Sequence, residues 1–491
     1  MSYSPDYAAG TLRVERFVGL LVGLGLVVFS IGWARTAQAT NVRVRSTTVG
    51  QATHLFRTDG TVEAPRRFTQ SMSLWGYDLL DDQTGSANAH VSFRYHTDFS
   101  LESNRRNDPH YSHRWNELWL DLAYVDWRPI DHMRLRAGRQ WAIGSLGPRD
   151  FDGLAWRWQP EIDRGTRAHF ELYGGRDVQT PYGRFDPATY DVQGLPAVSD
   201  DDRFGLDGTH LLAGAAAGLR FERTSSLQVN WRRRFSVGVS DPNVDDGTVV
   251  GSERIGAAGS TSIGRNLVAS THASYHAQLG DFDRAGLQFS WAPDFHRGTL
   301  TAGADHRRPW FDSSSIFNVF GAQPYRGGFA TYRYPVDALR TDFEVRGWGR
   351  HYRGDDAATA SGVDAQSERT VGSALAHDTR VDMFGRTADW RSLTSLQTSL
   401  DRRSNQLLAD VRLRMPLFER DLFISARALG LGVLGDHHRR DDDGFATTGV
   451  LGLDVPVGSV GMVSAAVETT GGTFYPTHTN AYATFTLDHW P

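Results

Sequence analysis

Charged side chains recur two residues apart along this chain. Arg134 is followed by Arg136, Arg232 by Arg234, and Asp410 by Arg412 and Arg414; Asp342, Glu344 and Arg346 make a fourth run. In an extended chain, residues i and i+2 point to the same side, so each run presents its charges on one face. Arg94 with Asp98, Arg157, Arg167 with Glu171, and Arg427 occupy equivalent places in other segments. Cations and anions lining one wet passage set up a field that favours polar or charged solutes. Arginine outnumbers acid in this set, which tilts the expectation towards anionic or sugar-like solutes.

Covalent catalysis finds little support. The chain has no cysteine, which removes disulfides, thiolate metal sites and a thiol nucleophile. It also has no lysine, all 52 basic residues being arginine, so a P-loop and Schiff-base chemistry are both excluded. No His-Glu-x-x-His, no Gly-x-Ser-x-Gly and no glycine-rich phosphate loop is present. The sequence therefore reads as a non-enzyme without a cofactor. A formal net charge of −5, with arginines spread along the chain, also argues against nucleic acid.

The elements that must position these charges are strands. From Ala87 to Leu101 the odd positions are Ala, Ala, Val, Phe, Tyr, Thr, Phe and Leu, whereas the even ones are Asn, His, Ser, Arg, His, Asp and Ser. Period-two alternation is a strand signature. A tilted strand crossing a bilayer needs about 9–11 residues, longer than most soluble strands. The pattern returns around 133–137, 167–172, 227–235, 267–279 and 407–415, with Arg233 an exception on an apolar face. Long polar connections (102–114, 175–208, 238–250, 306–325, 353–369, 434–443, 470–478) alternate with tight ones (128–131, 160–165, 223–225, 263–266, 293–297, 335–338, 416–420, 455–458). The short links at 280–283 and 402–404 and the longer one at 382–390 break the alternation. Twenty-two segments can be drawn, those near 41–50, 298–305, 326–334 and 370–381 being weak.

The fold class that follows is all-β: a single transmembrane antiparallel up-and-down β-barrel of about 18–22 strands. Arg13 and Arg16, the apolar run Phe17–Ala34 and Ala37-Gln38-Ala39 read as a cleaved signal peptide over 1–39, leaving 40–491 as the barrel. Trp115, Trp127, Trp141, Trp158, Trp291 and Trp490 fall near strand ends, where an aromatic girdle would sit. Asp241 to Gly247 resembles a calcium loop with its glycine one place late, and Asp436 to Asp443 is a charged tip suited to lipopolysaccharide.

One stretch carries a resemblance. Gly138-Arg139-Gln140 at a strand end, followed by Phe151-Asp152-Gly153 at a strand start, resembles the bacterial alginate-export and related large porin families. The closing alternation from Ala481 to Trp490 looks like the signal that addresses a barrel to its outer-membrane assembly machinery, apart from the terminal Pro491. The resemblance implies a Gram-negative outer-membrane conduit for small solutes, with lipid, lipopolysaccharide and the assembly machinery as partners. The alternative is a plugged envelope-structural or adhesion barrel. Connections 175–208 and 306–325 are the expected candidates to fold into the lumen.

Overall fold

The computed structural model describes residues 41–56, 62–63, 66–80, 85–98, 116–178, 209–222, 224–237, 248–278, 280–294, 296–308, 324–352, 368–401, 404–417, 422–435, 443–473 and 477–489. The signal-peptide reading, Trp115, Trp490, the calcium-like loop and nearly all of the charged tip lie outside them.

Twenty-two antiparallel strands close into one barrel. They are β1 (Asn41–Phe56), β2 (Arg66–Tyr77), β3 (Ser86–Asp98), β4 (Asn116–Ile130), β5 (Met133–Ala142), β6 (Arg149–Trp158), β7 (Thr166–Asp177) and β8 (Thr209–Phe221). There follow β9 (Ser225–Val237), β10 (Thr248–Ile263), β11 (Leu267–His276), β12 (Asp281–Trp291), β13 (Thr299–Arg307), β14 (Tyr325–Val336) and β15 (Thr341–Tyr352). The last are β16 (Glu368–Met383), β17 (Arg386–Ser399), β18 (Asn405–Pro416), β19 (Phe423–Leu434), β20 (Gly444–Val457), β21 (Gly461–Gly472) and β22 (His478–His489). Val62–Glu63 and Glu161–Asp163 only lengthen hairpins. Each strand pairs with its sequence neighbour, and β1 pairs with β22 from Val44↔His489 to Leu55↔His478. All four weak segments are strands, so the count stands at the top of the expected range.

Strands of about 12 residues at roughly 3.3 Å per residue, tilted about 35–45°, span a hydrocarbon layer. Their apolar faces are exposed rather than packed. Leu118 is 72% exposed, Leu154 68%, Leu451 64% and Val345 51%, and such residues recur on the strands from β3 to β21; on the same face of β1 and β2, Val44, Ser46, Gln70 and Met72 are buried. In that patch buried Gln70 donates to Ser46 at 2.7 Å and accepts from Thr48. Trp127, Trp158, Phe170, Phe221 and Trp291 edge the belt at one rim, with Trp158 stacked on Phe170 at 5.6 Å.

That rim carries the tight turns, the start of β1 and the end of β22. The longer link expected at 382–390 is instead a two-residue turn. Phe384 (φ 51°) and Gly385 (φ 73°) are both left-handed, the geometry that matches hairpin twist, and β16 and β17 run straight up to it. The longer connections join strands at the opposite rim. The links at 143–148, 277–280 and 400–404 are short members of that set.

Candidate lumen site

The polar faces form the inner wall. The link at 143–148 proves the sense, because it contacts β9 and β10 across a chord that bypasses β7 and β8. Asn230 donates to Ser145 Oγ at 2.6 Å, and the Arg232 guanidinium donates to the carbonyls of Leu146 and Gly147 at 2.9 and 3.1 Å. A Cβ on Gly256 would meet Leu146 and Ser145 at 2.7 Å. Only the concave side offers such a path.

The upper β5–β6 hairpin therefore folds into the lumen. The cause lies in its glycines. Gly138 adopts φ +117°, a conformation costly for other residues. Gly138, Gly153 and Gly175 stand in register across three strands. A Cβ on Gly153 would sit 2.1 Å from the Gly174 carbonyl, so the backbones approach too closely there for any side chain. Above Gly138 the ladder from β4 to β5 ends, Ala123↔Arg139 being its last pair.

The resembling motif has a structural role here. Arg139 makes a two-pronged pair with Asp152, both bonds 2.7 Å, and donates to the Leu120 carbonyl at 2.8 Å. Gln140 is buried and donates to the Gly153 carbonyl at 3.1 Å. Phe151 is fully buried against Ala142 and Leu212, with Tyr173 packed alongside. This small core sits under the infolded hairpin.

Charge fixes the hairpin to the wall. Asp177, with a side chain 0% exposed, receives Arg149 of the hairpin at 2.6 Å and Arg234 of β9 at 2.9 Å. Arg232 and Arg234 therefore both serve the hairpin. Lower down, Asp126 accepts from Arg134 and from Arg136, the latter at 3.0 Å. Arg157 pairs with Glu171 at 2.7 Å and Arg94 with Asp121 at 3.3 Å. Arg167 lies beside His169 and Arg220 in a cavity of about 470 Å³ near the tight-turn rim. Asp98 ends β3 opposite Arg67 in register.

A second charged field covers β15 to β21. Asp410 accepts from Arg412 and Arg427 at 2.8 and 2.9 Å. Arg391, Arg412 and Arg427 stand side by side in register on consecutive strands. Arg414 reaches Asp454 at 3.4 Å and lies over Phe423. Asp342 pairs with Arg333 at 2.6 Å. Arg346 lies over Phe329 and Trp348, and Glu344 stands opposite Arg333 in register. A cavity of about 840 Å³ gathers Arg340, Arg380, Arg391, Arg412, Arg414 and Arg427 against Asp342, Asp378, Asp389 and Glu468. Six cations thus face four anions around one space.

Sequence reasoning missed Asp121, Asp126, Asp177, Asp378, Asp389, Asp454 and Glu468. Asp126 was open to discovery, since it alternates with Val125 and Trp127. Asp121 sits where the β3–β4 register slips, which hides its face. Asp177 falls in a stretch read as connection. A band of rings went unread too: Arg43 lies over Trp75, Trp75 stacks on His90 at 4.6 Å, His90 meets Tyr124 edge-on, and Arg136 covers Tyr124 at 4.3 Å. This band ties five adjacent strands together.

No family model and no curated protein matches the chain. Among the solved structures it resembles are porins, an outer membrane protein and a receptor. A BenF-like porin from Pseudomonas fluorescens Pf-5 aligns over 92% of this chain and 99% of its own at 8% identity, TM-score 0.44. The outer membrane protein OpdK from Pseudomonas aeruginosa aligns over 91% and 98% at 9% identity, TM-score 0.42. A variant of the ferric enterobactin receptor PfeA from the same species aligns over 91% and 80% at 11% identity, TM-score 0.49. At these identities the likeness concerns architecture alone, and the alginate-export resemblance rests on its motif.

Proposed function

We propose that this chain is a porin-like channel of the Gram-negative outer membrane, passing small polar solutes with a preference for anions. The observation that carries this reading is the division of one closed wall into an apolar outer belt and an arginine-rich inner face. Arg391, Arg412 and Arg427 present three guanidiniums in a row against two carboxylates, Asp410 shared by Arg412 and Arg427 and Asp378 beside Arg391 at 3.3 Å. Permanently charged, planar guanidiniums suit carboxylates, phosphates and the hydroxyls of sugars. The outer belt would meet lipid, and the longer-connection rim would meet lipopolysaccharide.

Planar-bilayer recording across a tenfold salt gradient tests the reading. The expected reversal potential is anion-selective, and Arg412→Gln should move it towards zero. A cation-selective reversal potential would refute the anion preference. Liposome swelling addresses conduction itself. A barrel that admits no sugar would be the plugged envelope barrel, a reading to which the infolded hairpin lends one specific observation.

A further inference from the structure

Near the tight-turn rim the inner wall holds charges of both signs that do not use one another. A cavity of about 470 Å³ opens there between β7, β8, β9 and the turns that close β4 on β5 and β6 on β7. Arg167 on β7 and Arg220 on β8 stand side by side in register on its wall. Asp131, in the β4–β5 turn, and Glu161, just ahead of β7, line the same space. Among the described residues, none of these four side chains makes a hydrogen bond or an ion pair. Glu161 stands opposite Arg167 in the ladder, but the register slips between Glu161 and Asp163 and the two stay apart. Elsewhere on the inner wall Asp126, Glu171, Asp177 and Asp410 are each taken up by arginine.

The rest of the lining keeps room between these charges. Gly218 lies between His169 and Gln228 in register and offers no side chain. His169 is turned to Glu171 at 3.4 Å and Gln228 to Asn230 at 3.1 Å, so neither bridges the arginines to the acids. Backbone bonds hold the two turns in place: the Gln159 N–H donates to the His132 carbonyl at 2.7 Å, and the Ala168 N–H to the Pro160 carbonyl at 3.0 Å.

With the histidines neutral, two cations and two anions leave this space without net charge. A simple anion drawn to the guanidiniums meets two carboxylates, and a simple cation meets two guanidiniums. Like charges brought together disfavour both. A molecule that carries both signs satisfies both pairs. A planar guanidinium takes a carboxylate through two parallel hydrogen bonds, and an ammonium has three donors to offer acids.

We infer that this cavity is a binding site for a zwitterionic solute of the amino-acid or short-peptide kind, its carboxylate held by Arg167 and Arg220 and its ammonium by Asp131 and Glu161. The volume lies within the usual range for small-ligand sites, roughly 300–1,000 Å³. The inference goes beyond the anion preference, which rests on the row at Arg391, Arg412 and Arg427. It needs the polar faces to form the inner wall, and it does not need the channel to conduct.

Binding is read on the full-length barrel, folded in the uncharged detergent dodecyl maltoside at neutral pH and checked by heat-modifiable mobility. Saturation-transfer NMR follows L-alanyl-L-alanine, its N-acetyl derivative and its C-terminal amide. The zwitterion should bind saturably and at least about tenfold more tightly than either capped form, the size of one lost charge-assisted contact. Glu161→Gln should weaken the dipeptide and tighten the N-acetyl form, whereas Arg220→Gln should weaken the dipeptide and tighten the amide. No saturable binding of the dipeptide, equal or tighter binding of a capped form by the parent, or variants that shift all three ligands together would overturn the inference. A barrel that admits no sugar in the swelling assay would refute conduction and leave this titration unaffected.

Discussion

Removing the Asp177 carboxylate should set the infolded hairpin loose. Asp177 is fully enclosed and binds Arg149 on the hairpin and Arg234 on the wall. Asp177→Ala deletes two charge-assisted hydrogen bonds from Arg149, at 2.7 and 2.6 Å and each worth about 1.5–3 kcal/mol, together with the ion pair to Arg234. Breaking a buried pair from one side typically costs about 3–5 kcal/mol. The Arg149 side chain is 25% exposed and can turn to lumen water, so about 3 kcal/mol is the reasonable figure after screening. At 1.4 kcal/mol per factor of ten, the released state should gain roughly a hundredfold in population. Asn230 and Arg232 still hold the link at 143–148, so release is partial and reversible. Single-channel recording should then show a new open level and flicker absent from the parent. Tethering the link to the wall with Ser145→Cys and Asn230→Cys should suppress both. If Asp177→Ala folds and its conductance and noise match the parent, the hairpin does not depend on this carboxylate and the reasoning fails.

Two further outcomes probe the wall itself. Leu154→Arg puts a charge where a leucine is 68% exposed on the outer belt; it should cost up to about 2–4 kcal/mol, read as a lower urea midpoint in lipid and no change in ion selectivity. Gly153→Ala forces a Cβ to within 2.1 Å of the Gly174 carbonyl and 2.7 Å of the Gly175 Cα. Backbone cannot yield as a side chain does, so the folded, heat-modifiable band should fall sharply, whereas alanine at Gly430, where a Cβ meets nothing within 4 Å, should leave it intact.

How much of this was legible in sequence follows from what alternation encodes. Period two names which residues share a face, so the runs at Arg134, Arg232 and Arg412 could be read as sharing one side of their strands. The rhythm of long and short links bounded the strand count at 18–22, because each tight turn must return the chain to one rim. Partners were not readable. Which acid meets which arginine depends on cross-strand register, and Asp126 between Arg134 and Arg136 is set by pairing alone. Departures from regularity were hidden most of all. The slip at Asp121 and the turn inward at Gly138 each break the period that the reading relied on. The longest connections, 175–208 and 306–325, are the expected candidates for an inward fold, and they lie largely outside the described residues, at 179–208 and 309–323. The described segment that enters the lumen is the six-residue link at 143–148, and the glycine row beneath it was the signal that could have found it.

The pairing of β1 with β22 has a consequence for biogenesis. The ladder from Val44↔His489 to Leu55↔His478 joins the two ends of the described chain, so the cylinder cannot be finished until its last strand exists. A product truncated within β22 would keep two raw borders, and each would carry amides that a lipid environment leaves unanswered. Residues His478–His489 therefore supply the border that both β1 and β21 need.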